Sequence, residues 1–71
     1  MKKYYIEVYS NKEEDYILQS DWFDTEKEAI EWAEKIFYVN EFLLVDLMAS
    51  DGQMEGDKWI ESDIYLVKTL K

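Results

Sequence analysis

A single stretch of this chain carries a helical period. In "TEKEAIEWAEKIF", residues 25–37, Ala29, Ile30, Ala33, Ile36 and Phe37 fall on one arc of a helical wheel, with Trp32 at its edge. Lys27, Glu28, Glu31, Glu34 and Lys35 fall on the opposite arc. Apolar residues recurring at three- and four-residue intervals mark an amphipathic helix of about three turns. Thr25 followed by Glu28 fits a capping box, in which the Thr oxygen accepts from the Glu28 N–H and the Glu side chain reaches back. Glu26 and Glu28 also suit the positive end of the helix dipole. No second helical pattern offers this segment a neighbour, so its apolar arc has to cover a sheet. Ala29 and Ala33 let it sit close.

The rest of the chain supplies strands. Residues 3–9 alternate, with Tyr4, Ile6 and Val8 on one side and Lys3, Tyr5, Glu7 and Tyr9 on the other, as in a half-buried strand. The polar "SNKEED" follows, then "YILQSDWF" as a second strand. Their facing is left open by the hairpin register. "EFLLVDLMA" is the most apolar run and predicts a central strand, with Leu43, Val45 and Leu47 toward the helix and Phe42, Leu44, Asp46 and Met48 away. "SDGQMEGD" holds both glycines, and its Asp-Gly pair predicts a tight hairpin turn. "DKWIESDIYLVKTL" supplies one or two final strands, interrupted near Glu61–Asp63. The order β-β-α-β-β predicts one small domain over residues 1–71. Its fold class is α+β, two layers, one amphipathic helix packed on an antiparallel sheet of about four strands. One helix covers one face of such a sheet. Tyr5, Tyr9, Leu44 and Met48, with Tyr65 or Val67, would line the other.

Composition excludes much chemistry. A chain of 71 residues buries only about 60% of its unfolded surface. It has no cysteine, so neither a disulfide nor a thiolate-held metal supports it. Twelve aromatic residues offset the lack of volume by the large area each ring buries. Without histidine or cysteine there is no Ser-His or Cys-His nucleophile pair, and without arginine there is no bidentate phosphate clamp. Glycosidase chemistry needs two carboxyls about 5–10 Å apart in a sugar-sized cleft, which so short a chain is ill placed to build. Counted as an EF-hand loop from Asp51, glycine falls at positions 2 and 6 and Gln53 and Glu55 at 3 and 5, but position 12 is Ser62 instead of Glu. A turn with solvated acids explains those residues better. No enzyme activity, cofactor or metal is expected.

The net charge of −9 repels nucleic acid and anionic membranes and attracts basic surfaces. An aromatic sheet face invites comparison with single-stranded RNA platforms, but those need positive charge along the backbone, so no direct nucleic-acid binding is expected. The longest apolar run, "FLLV", is too short to span a membrane, and "MKKYYIEVY" has no continuous apolar core of a signal peptide. A cytoplasmic location is the expectation.

The charge is concentrated. Residues 13–34 hold Glu13, Glu14, Asp15, Asp21, Asp24, Glu26, Glu28, Glu31 and Glu34 against Lys27 alone, a net of −8. Along a helix, Asp24, Glu28, Glu31 and Glu34 would rise about 15 Å, one acid per ~5 Å. That approaches the phosphate spacing of about 3.4 Å along one DNA strand. The candidate partner-binding set is therefore Glu13, Glu14, Asp15, Asp21, Asp24, Glu28, Glu31 and Glu34, with Trp32 adding apolar area. The plainer account is a solubilising helix face with a Glu31–Lys35 pair. In being small, acidic, free of cysteine and rich in Lys, Ile and Tyr, the chain resembles phage-encoded inhibitors, anti-CRISPR proteins among them. That resemblance is one of composition over the whole chain. It implies a counter-defence inhibitor and carries over no residue. The leading expectation is a protein-binding module that mimics nucleic acid and docks on a basic nucleic-acid-handling protein. The alternative is a structural or accessory module that forms a homodimer, or binds a partner, through its aromatic uncovered sheet face.

Overall fold

The computed structural model describes residues 1–10, 16–35 and 43–70. Strand β1 (Lys2–Ser10) is followed by β2 (Tyr16–Gln19), helix α1 (Glu26–Glu34), β3 (Leu43–Glu55) and β4 (Lys58–Thr69). The four strands form one antiparallel sheet in the order β2-β1-β3-β4, with α1 packed across β1 and β3. This is the two-layer α+β domain that a lone helix period among alternating strands requires.

The alternation in β1 and β3 sets the core. Ile6, Val8, Val45 and Leu47 point to the helix and are fully buried with Ala29 and Ala33. β1 and β3 pair in unbroken register from Lys2–Asp51 to Ser10–Leu43, so Ile6 lies opposite Leu47 and Val8 opposite Val45. Tyr4, Phe23, Ile30, Trp32, Val67 and Leu70 close the rim. Thr25 caps α1: its hydroxyl oxygen accepts from the Glu28 N–H at 3.2 Å. The Thr25 hydroxyl in turn donates to the Glu28 carboxylate at 3.1 Å, so the two side chains bond each other in this capping box. Such a cap is worth about 1 kcal/mol. Ile36, Phe37, Tyr38 and Phe42 lie outside the described residues.

The approach to the helix contains a splice. From Tyr4 to Glu7 is three residues, whereas their partners Phe23 and Gln19 are four apart. The extra residue turns Phe23 inward, where its ring meets Trp32 at 6.2 Å, and sends Trp22 to the far face. Ser20 holds the splice. Its N–H donates to the Ile6 carbonyl at 2.9 Å, and its Oγ accepts from the Ile6 N–H at 2.8 Å.

Two expectations for the second half of the chain are corrected. The Asp51-Gly52 pair makes no turn: β3 runs through it to Glu55, and the chain reverses at Gly56-Asp57. Gly56 has φ +67°, the positive value that both primed hairpin turns demand at their first central residue. The segment after it is one strand. Its expected interruption near Glu61–Asp63 is a bulge, in which Ser62 is the extra residue between the Asp51–Asp63 and Gly52–Glu61 pairs. A second bulge inserts Val67 between the Leu47–Lys68 and Met48–Leu66 pairs. These shifts decide the facing of β4. Tyr65 lies opposite Ala49 and Val67 joins the core, both on the helix side, while Ile64 and Leu66 take the far face.

Candidate functional site

The outer surface of α1 follows from its length and phase. With Ala29 and Ala33 against the sheet, Glu28, Glu31 and Glu34 are turned outward and exposed. At three-residue spacing they climb about 9 Å and wind around the outer arc. Glu26, Lys27, Ile30, Glu31 and Glu34 line a shallow concavity along the helix. Among the described residues these acids have no ion-pair partner. The Glu31–Lys35 pair is absent at contact distance, and the two ion pairs present are Lys2–Asp51 at 3.9 Å and Lys3–Asp24 at 2.8 Å. Glu28 accepts from the Thr25 hydroxyl, while Glu26, Glu31 and Glu34 meet no cation among the described residues and stand open to a partner.

The remaining expected site residues divide. Asp24 and Asp21 are exposed just ahead of the helix, but Asp24 already receives the Lys3 ammonium. Trp32 is half-buried against Phe23 at the core rim, so its ring is committed largely to the scaffold. Glu13, Glu14 and Asp15 lie outside the described residues. The ends of their segment are placed: Ser10 pairs with Leu43, where the chain returns from α1.

The face of the sheet away from α1 is only partly open. Tyr5 is 2% exposed there because Trp22 stands edge-on over it, ring centres 4.9 Å apart at 78°. Trp59 lies 6.1 Å beyond Trp22, and its indole N–H donates to the buried Ser50 Oγ at 3.3 Å. Gly52 makes room for this. A Cβ there would stand 2.3 Å from the Ile60 carbonyl oxygen and 2.8 Å from the Trp59 ring. The Lys3 ammonium sits 5.6 Å from the centre of the Trp59 ring. Next along the face, the Glu7 carboxylate accepts from the Tyr5 hydroxyl at 3.0 Å and from the Tyr9 hydroxyl. Burial, then the Glu7 hydrogen bond and charge, push the Tyr5 hydroxyl far above its ordinary pKa. Asp46, opposite Glu7, accepts from Thr69 at 2.8 Å.

Ile64 and Leu66 complete this face at its β4 end, 45% and 53% exposed, and no residue of the sequence reading pointed to them. Their exposure depends on two bulges that composition does not announce. Among the described residues no three carboxylates gather to hold a metal, and Asp51, Gln53 and Glu55 lie in an extended strand. No helix among them is long and apolar enough to cross a membrane. Comparison with protein-family models, curated proteins and solved structures found no match.

Proposed function

We propose that this protein is a non-enzymatic binding module that docks the acidic outer face of α1 on a basic groove of a nucleic-acid-handling protein, as an inhibitor mimicking nucleic acid. A counter-defence role of the anti-CRISPR type in a phage setting, in the cytoplasm, is the biological form of the same proposal. The observation that carries it is the set of exposed helix carboxylates, Glu26, Glu28, Glu31 and Glu34, which no cation among the described residues neutralises by contact. Uncompensated acids steer basic partners over long range and form charge-assisted bonds on arrival. Charge alone speaks first to solubility, so the distinction lies in whether these particular positions matter.

The test is triple charge reversal, Glu28→Lys, Glu31→Lys and Glu34→Lys. All three sites are exposed, so the fold should survive with unchanged circular dichroism. Proteins captured from a lysate at low salt should be lost by the variant and released from the wild type as ionic strength rises toward ~1 M, where the Debye length shrinks to about 3 Å. Capture that is indifferent to both changes contradicts the proposal. A second function, an accessory module docking through the far sheet face, is favoured by the exposure of Ile64 and Leu66. It predicts capture that barely responds to ionic strength.

A further inference from the structure

β4 is an edge strand of twelve residues, and among the described residues no strand lies beside its outer row of backbone N–H and C=O groups. Only residues 59 and 67 of it are even half-buried. It is also where exposed apolar side chains concentrate: Ile60 and Tyr65 on the helix side, Ile64 and Leu66 on the far side. The other edge, β2, is four residues long, and a short edge is its own protection against pairing. β4 lacks that protection and has no proline.

Charge identifies the occupant. The chain carries −9, so two copies repel over most of their surface. α1 carries four Glu against one Lys, and β3 carries three acids with no base. β4 carries Lys58 and Lys68 against Glu61 and Asp63, a net of zero. The ion pair beside it, Lys2–Asp51, is neutral as well, with the Lys2 ammonium 5.3 Å from the Tyr65 ring centre. A basic partner gains nothing from a neutral strip when acidic surface is available elsewhere. A second copy of this chain can meet its twin along this strip without the repulsion that α1 or β3 would bring.

We propose that two copies pair β4 with β4, antiparallel about a two-fold axis normal to the sheet, to make one continuous sheet of eight strands. The bulges at Ser62 and Val67 restrict the regular ladder to Asp63–Leu66 and so fix where pairing is centred. With Tyr65 on the axis, Ile64 of each copy lies opposite Leu66 of the other on the far face, and four half-exposed apolar side chains cover one another. The axis keeps both α1 helices on the same side, about 20 Å apart at strand spacings of ~4.8 Å. The acidic helix face is thereby presented twice. This dimer does not depend on the inhibitor proposal and stands or falls separately.

Sedimentation velocity across a concentration series should show a species of twice the chain mass. Ile64→Lys or Leu66→Lys should abolish it, with circular dichroism unchanged because both sites are about half exposed. Register is tested by cross-linking in this cysteine-free chain. Cα atoms opposed across an antiparallel pair lie about 4.5–5.5 Å apart, inside the disulfide range of about 4.4–6.8 Å. Tyr65→Cys should therefore give a covalent dimer on mild oxidation, while Lys58→Cys on the same edge should form no covalent cross-link. A monomer at every concentration, a dimer untouched by both lysine variants, or equal cross-linking at the two cysteines overturns the proposal.

Discussion

Gly52 and Gly56 sit four residues apart and are glycine for different reasons. Gly56 supplies a positive φ that a side chain resists. Gly52 supplies space, because the Ile60 carbonyl and the Trp59 ring occupy the position of its Cβ. Gly52→Ala should therefore cost about 1–3 kcal/mol of stability by overpacking and red-shift the tryptophan emission as Trp59 is displaced. Denaturant titration followed by fluorescence measures both. Tyr5 makes a second prediction at this scale. Its hydroxyl is held neutral by burial and by the Glu7 carboxylate, so its folded pKa lies well above the unfolded value of about 10. A raised folded pKa means that the unfolded chain loses its proton first. The contribution is fully present below pH ~10 and declines as pH rises past it. In Tyr5→Phe, unfolding free energy should fall less steeply with pH above ~10 than in the wild type, by up to one proton in slope. Equal slopes would place the Tyr5 hydroxyl in water.

Among the elements, the regular ones were legible and the irregular ones were not. The period of two in β1 and β3 and the period near 3.6 in α1 each identify the buried side, since a residue in a regular element cannot change face without breaking the run. The core of Ile6, Val8, Val45, Leu47, Ala29 and Ala33 follows directly. A bulge inverts the facing of everything beyond it while leaving composition unchanged. That is why Trp22 and Phe23 exchange sides at the Ser20 splice, and why Tyr65 and Val67 lie on the helix side and Ile64 and Leu66 do not. The Asp-Gly pair misled in the same way. A dipeptide that suits a turn also suits a strand when a ring has to cross it, as the Trp59 ring does at Gly52. Of the candidate site, the outward acids of α1 could be read from the wheel, whereas the commitment of Asp24 to Lys3 could not, because those residues are 21 apart in sequence. The splice makes its own prediction. Ser20→Ala leaves the N–H of fully buried Ile6 without its acceptor and should cost about 1–3 kcal/mol. Ser20→Thr, which keeps an oxygen there, should recover most of that in the same unfolding assay.

The whole molecule separates two kinds of surface. Its carboxylates crowd the outer helix face and the segment before it, and its exposed apolar side chains crowd the β4 edge, where charge cancels. A surface divided in this way suits a protein whose contacts are its function: an acidic face for a basic partner and a neutral edge for a second copy. The principal extents of 38 × 22 × 19 Å reflect the β3–β4 hairpin, which continues past the start of β1 and carries that edge with it. If the acidic face takes the place of nucleic acid, duplex DNA must compete with it for the partner. The immobilised protein is loaded with its captured partner at low salt and then washed with duplex DNA of unrelated sequence. Competition for one basic groove predicts that DNA releases the partner in proportion to its concentration and that the protein itself never binds the DNA. A partner that stays bound at saturating DNA, while binding that DNA at the same time, contradicts the claim.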